Sequence, residues 1–234
     1  MTGSSVPTDE RLERAQHHYD LAVFGGDASG LDNADRDLDS LEAELTLARG
    51  RVIHARILAE RSSTGEHPVE NPRELELFTH AAQLFRAVGD VRGEAEAAFW
   101  IGCCLQVVRY DDATAVPYFE RARVLAGQAD DKLTVSFALR HLAFARLGTD
   151  DFDAARQLLE ESTELRQEVG FHRGVAANLV VLADLTASQG KRDEALAYVA
   201  RAEAVAAECG AHGMVTLAAQ TRARIEAAAA GGPA

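Results

Sequence analysis

Cysteine, proline, lysine and long apolar runs are all scarce in this chain of 234 residues, and each scarcity excludes something. Three cysteines, two of them adjacent at Cys103 and Cys104, have no paired spacing that would frame a disulfide scaffold or a zinc site. They suit a reducing compartment. Only five prolines, beside 47% apolar and 26% charged positions, mark a globular chain rather than a disordered one. No uninterrupted apolar run approaches the roughly 20 residues a bilayer span needs. Met1 to Glu10 lacks the basic and apolar regions of a secretion signal, so a cytoplasmic location is expected. Positive charge is the poorer sign: 24 basic against 37 acidic residues leave a net charge of -13, and Lys occurs only at 132 and 191. A surface of that sign repels phosphate backbones and anionic headgroups, so neither nucleic acid nor membrane is expected as a partner.

Motifs of catalysis and cofactor binding are missing too. There is no phosphate-binding GxxxxGK[ST] loop, no HExxH, no GxSxG and no GxGxxG after a strand. The stretch Gly25 to Gly30 offers backbone donors but has no following Lys and carries Asp27 where an anion would sit. Glu13 with His17, and Glu76 with His80, lie one helical turn apart, a spacing common on solvated helix faces. No cofactor, metal or catalytic residue is expected.

What is abundant is repetition, with a period of 40. Stepping by that interval aligns Ala115, Ala155 and Ala195, then Tyr118, Leu158 and Tyr198, then Ala122, Ser162 and Ala202. The same step aligns Phe99, Leu139 and Leu179, then Gly102, Leu142 and Leu182, then Cys103, Ala143 and Ala183. Small residues meet small and large meet large. Within each unit apolar residues recur at three- and four-residue steps, the mark of amphipathic helices, and strand alternation is nowhere sustained. Glycine-containing joints at Gly148, Gly170, Gly190 and Gly210 suggest left-handed helix ends, followed by residues that suit a new helix. Short joints imply antiparallel neighbours, and small residues at Ala143 with Ala155, and Ala183 with Ala195, allow close approach. One hairpin alone leaves an apolar face wet, so the hairpins stack.

These residues predict an all-α solenoid of antiparallel helix hairpins. A capping helix and loop occupy 1–36, four hairpins fill 37–90, 91–129, 130–170 and 171–210 within an array of 37–213, and a C-terminal capping helix and tail occupy 211–234. Ser62 to Asn71 reads as one long loop inside the array, and Gly231 to Ala234 as a frayed tail.

The pattern of Leu182-Ala183, Gly190-Lys-Arg-Asp-Glu-Ala195 and Ala202 resembles the tetratricopeptide repeat, as do Leu142-Ala143, Phe152, Ala155 and Ser162. The likeness covers roughly Leu41 to Cys209. Its departures are a period longer than the usual 34 residues and Val108-Arg-Tyr-Asp-Asp where a glycine turn is expected. This long-period form resembles repeats appended to actinobacterial transcriptional regulators; a HEAT-type array is the alternative fold. The resemblance implies a right-handed solenoid whose first helices line a concave groove. Carried over residue by residue, that groove holds Trp100 and Cys104, Phe137, Arg140 and Phe144, and Val180 and Asp184. Secondary polar candidates on the first helices are Arg51, His54, Gln106, Arg109, His141 and Asn178.

A guanidinium placed among aromatics has to find an acid or a ligand, since burying it unpaired costs several kcal/mol; within the chain Asp184 is the nearest candidate. The expected function is a binding scaffold for a protein or peptide segment. The alternatives are a sensor of a small anionic or apolar ligand, walled by Trp100, Phe137 and Phe144, and an enzyme using His141 or His54 with an Arg. Only the enzyme needs a group orienting its histidine, and the sequence displays none.

Overall fold

The computed structural model of the chain describes residues 9–65, 67 and 69–230. The expected absence of a secretion signal before Asp9 and the expected frayed tail from Gly231 lie outside the described residues. Among the described residues there are ten α-helices, one π-helical turn and no strand, as the period-40 pattern predicts. The chain forms two compact units, Met1–Asp111 and Asp112–Ala234.

The first unit is built on α1 (Glu10–Gly25), α2 (Leu31–Thr64), α3 (Pro72–Val88) and α4 (Val91–Cys103), which runs into a π-helical turn, Cys104–Val108. Each helix packs on its chain neighbour. Asp9 caps α1 by accepting from the Arg11 amide, and Asn71 caps α3, with Pro72 in the first turn where its missing N–H costs nothing. Helix α2 starts six residues before the expected Asp37 and continues to Thr64, three residues into the expected loop. Its core face carries Ala43, Leu47, His54 and Ile57. Gly50 lets the Phe78 ring lie against the α2 backbone: a Cβ there would stand 2.5 Å from the ring. Arg11 with Glu44, and Arg14 with Asp37, tie α1 to α2 in antiparallel register.

The second unit holds α5 (Asp112–Gln128), α6 (Lys132–Leu147), α7 (Phe152–Glu168), α8 (His172–Ser188), α9 (Arg192–Glu208) and α10 (His212–Ala230). Cross-links between Lys132 and Glu168, and between Ser136 and Ser162, fix α6 and α7 antiparallel. Ala143, Ala155, Ala183 and Ala195 are all fully buried in one core with Leu159, Leu179, Leu182 and Val199. The small and the large slots of the repeat are thus buried together in that one core.

The joints correct one expectation. Gly170, Gly190 and Gly210 do adopt positive φ, but Gly148 stays right-handed at φ -63 and Asp150 takes the left-handed place at φ 58. Asp130 and Tyr110 do the same at their joints, so Tyr110 stands in for the missing glycine after the π turn. Short polar side chains tolerate that conformation better than most, which suits the two aspartates.

Candidate functional site

Each unit places a cluster of polar and aromatic side chains on its expected first helices. In the first unit the cluster is centred on Trp100. Its ring stacks on Phe78 at 5.7 Å, meets Phe99 and His54 edge-on, and carries the Arg51 guanidinium over one face at 5.6 Å. Arg51 also reaches Glu96 at 3.2 Å. Beneath Trp100, His54 Nδ1 lies 2.6 Å from Glu74 Oε1, with both side chains buried. Glu74 thus supplies the orienting carboxylate that the sequence does not display for His54, and both side chains lie within the core. Glu74 Oε2 has no hydrogen-bond partner among the described residues.

Cys104, expected in the groove, is fully buried, and burial together with the Glu74 charge pushes its thiol up to about 12. Arg109 pairs with Glu70. Gln106 sits in the π turn, half-buried.

The second unit assembles a different cluster, at the joint of α6, α7 and α8. Arg140 does not pair with Asp184, which forms its ion pair with Arg224 on α10 at 2.6 Å. Instead, Arg140 Nη1 donates to Asn178 Oδ1 at 2.7 Å and to the Ala177 carbonyl at 3.1 Å. The same Asn178 oxygen accepts from Arg166 Nη1 at 2.9 Å, so one neutral carbonyl holds two cations. Arg166, on α7, is only 3% exposed. It donates further to the Gly174 carbonyl and to Ser136 Oγ, and lies over the Phe137 and Phe171 rings at 5.2 and 5.7 Å. Asn178 Nδ2 in turn donates to Ser162 and Thr163, which completes the amide's hydrogen bonding.

Arg140 is half-buried, its guanidinium 4.7 Å from the Phe144 ring centre. His141 meets Phe144 edge-on and stacks on Phe119 at 5.0 Å. Val180 is buried in the apolar core.

The electrostatics of this cluster are unusual. No carboxylate among the described residues forms an ion pair with Arg140 or Arg166. Loss of hydration alone lowers the Arg140 guanidinium to about 10, and loss of hydration plus repulsion by Arg140 lowers Arg166 to about 9. Among the described residues their compensation is neutral carbonyls, the Ser136 hydroxyl and aromatic faces, worth less than an anion at the same distance. In a chain of net charge -13 this is a local excess of buried positive charge.

The sequence reading missed Arg166, although a signal for it exists. Ala126 and Ala206 lie one period before and after it, both fully buried. Likewise Asn178 stands where the other repeats carry the buried Ala98, Ala138 and Ala218. A polar side chain in a slot that the repeat otherwise fills with alanine is a departure that core packing does not require.

Among the described residues no helix is long and apolar enough to cross a membrane. None of the curated proteins compared matches the chain. Residues 134–208, the segment that contains Arg140, Arg166 and Asn178, match the tetratricopeptide repeat family model. That match lies on the α6 to α9 hairpins, whose small and large slots recur at the period read in the sequence, so this segment of the chain is built of tetratricopeptide repeats.

Proposed function

We propose that this chain is a non-catalytic scaffold that takes an acidic segment of a protein partner, with Arg140 as the contact to its carboxylate. Tetratricopeptide repeats generally mediate protein–protein interaction, which supports the coarser part of this reading. The observation that carries the finer part is the pair of guanidiniums, Arg140 and Arg166, held on one amide oxygen with no ion pair to a carboxylate among the described residues. Arg140 is the accessible member. Arg166 is buried behind it, where it adds field and fixes Asn178, so that the Arg140 fork keeps one orientation before any partner arrives. Prepaid order of this kind raises affinity by reducing what binding must immobilise. Phe144 lies against the Arg140 cation and suits an apolar side chain next to the acid.

Selection of a displayed random peptide library on the purified chain tests the reading. Enriched peptides should carry Asp or Glu beside an apolar residue and should fail to bind Arg140→Gln. Enrichment of neutral or basic peptides, or equal capture by the variant, would remove Arg140 from the site.

A further inference from the structure

Helix α2 has a second face that the fold leaves uncovered. Opposite the core residues Ala43, Leu47, His54 and Ile57, the side chains Leu31, Leu38, Leu45 and Val52 recur every seven residues and are 39%, 40%, 52% and 51% exposed. Large apolar residues scattered singly on a surface need no explanation, but a row of four along one helix does. A seven-residue apolar repeat is the seam of a left-handed helix pair.

The charges beside this seam are segregated. Four residues after each apolar member stand Asp35, Glu42, Arg49 and Arg56, all exposed, so that the first half of the flank is acidic and the second half basic. Neither Arg49 nor Arg56 forms an ion pair among the described residues, Asp35 forms none either, and Glu42 has only a long contact of 3.5 Å with His80. Both arginines, with Arg73 and Leu77 of α3, border a groove of about 440 Å³ whose floor includes Leu45 and Val52.

The pattern is symmetric about the bond between Leu45 and Thr46. Asp35 lies as far before that point as Arg56 lies after it, and Glu42 as far before as Arg49 after. Two copies of α2 laid antiparallel therefore bring Asp35 onto Arg56 and Glu42 onto Arg49, each pair formed twice, while the two Leu45 side chains lie within one residue of each other beside the two-fold axis. A parallel pairing would set acid on acid and base on base. Both halves of the complementarity reside on one helix, which is the signature of an isologous contact. We infer that the exposed face of α2 is the seam of an antiparallel homodimer of this chain, set in register by Asp35 with Arg56 and Glu42 with Arg49. The inference stands apart from the peptide-binding reading, which concerns the second unit.

Sedimentation of the full chain at high micromolar concentration, with circular dichroism of each variant to confirm unchanged helix content, tests it. The wild type should sediment as a dimer and Leu45→Glu, which sets two like charges at the axis, as a monomer. Glu42→Arg alone and Arg49→Glu alone should each weaken the dimer at least about tenfold, since like charges meet across a packed contact. The double variant Glu42→Arg with Arg49→Glu re-creates the pairs with signs exchanged, and should recover most of the loss. A monomeric wild type, a dimeric Leu45→Glu, or a double variant no better than either single one would overturn the inference.

Discussion

Asn178 shows how much one side chain can hold. Its oxygen is the shared acceptor for Arg140 and Arg166, and its amide donates to Ser162 and Thr163. Truncating it leaves two desolvated cations and two buried hydroxyls short of partners, whereas removing a cation as well relieves part of the strain. Asn178→Ala should therefore cost about 2–3 kcal/mol in urea denaturation, and Arg166→Met added to it should recover a measurable fraction. Additive losses would mean that the two residues act independently.

Charge sets the sign of the pH effect here. Both guanidiniums ionise less readily folded than unfolded, at about 10 and 9 against the ordinary arginine range, so their ionisation opposes folding at neutral pH. That opposition begins to fade as pH rises above about 9 to 10 and is gone only in the ordinary arginine range, and a bound anion would offset it at neutral pH.

The thiols give a simpler test at this scale. Burial, with Glu74 nearby, raises Cys103 and Cys104, while Cys209 is only half-buried. A chromogenic disulfide reagent at neutral pH should titrate one thiol quickly in the native chain and three in denaturant; rapid release of three from native protein would show that the α4 core opens readily.

At the scale of the helix, the hairpins work because alanine keeps recurring where paired helices touch. Ala155 and Ala195 are fully buried in one core with Ala143 and Ala183. Ala155→Leu or Ala195→Leu should overpack that contact and destabilise the chain by roughly 1–3 kcal/mol. An unchanged denaturation midpoint would place those alanines elsewhere. The helices, their amphipathic faces and these slots were legible in the sequence because a 40-residue step superimposes side-chain volumes, a property that packing constrains directly.

The joints were less legible. Three glycines took the left-handed place as expected, but at Gly148-Thr149-Asp150 the conformation fell on the aspartate, since residue identity alone does not say which of two tolerant residues ends the helix. Pairing was less legible still. Arg140 on α6 lies 44 residues before Asp184 on α8, whereas Arg224 on α10 lies forty beyond it and wins the contact, because stacked helices align residues a full period apart. Arg166 and Asn178 are the instructive case. Their chemistry looks ordinary for exposed helix positions, and only comparison with the buried alanines of adjacent repeats marks them as interior.

Over the whole molecule, an acidic chain whose residues 134–208 match the tetratricopeptide repeat keeps one arginine buried and a second half-buried, neither ion-paired with a carboxylate among the described residues. Replacing such a cluster with apolar side chains is often neutral or stabilising, so a fold under selection for stability alone has no need of it. On the function proposed for this chain, an anion bound at the half-buried Arg140 would offset that cost.

The direct measurement is calorimetric titration of one library-selected acidic peptide into the wild-type chain and into Arg140→Gln, with melting curves of both proteins. Loss of a charge-assisted hydrogen bond should weaken the variant by about 1.5–3 kcal/mol, roughly 10- to 150-fold in affinity, while its fold survives. Equal affinity for the two proteins, at equal stability, would contradict the assignment of Arg140 as the group that receives the partner's carboxylate.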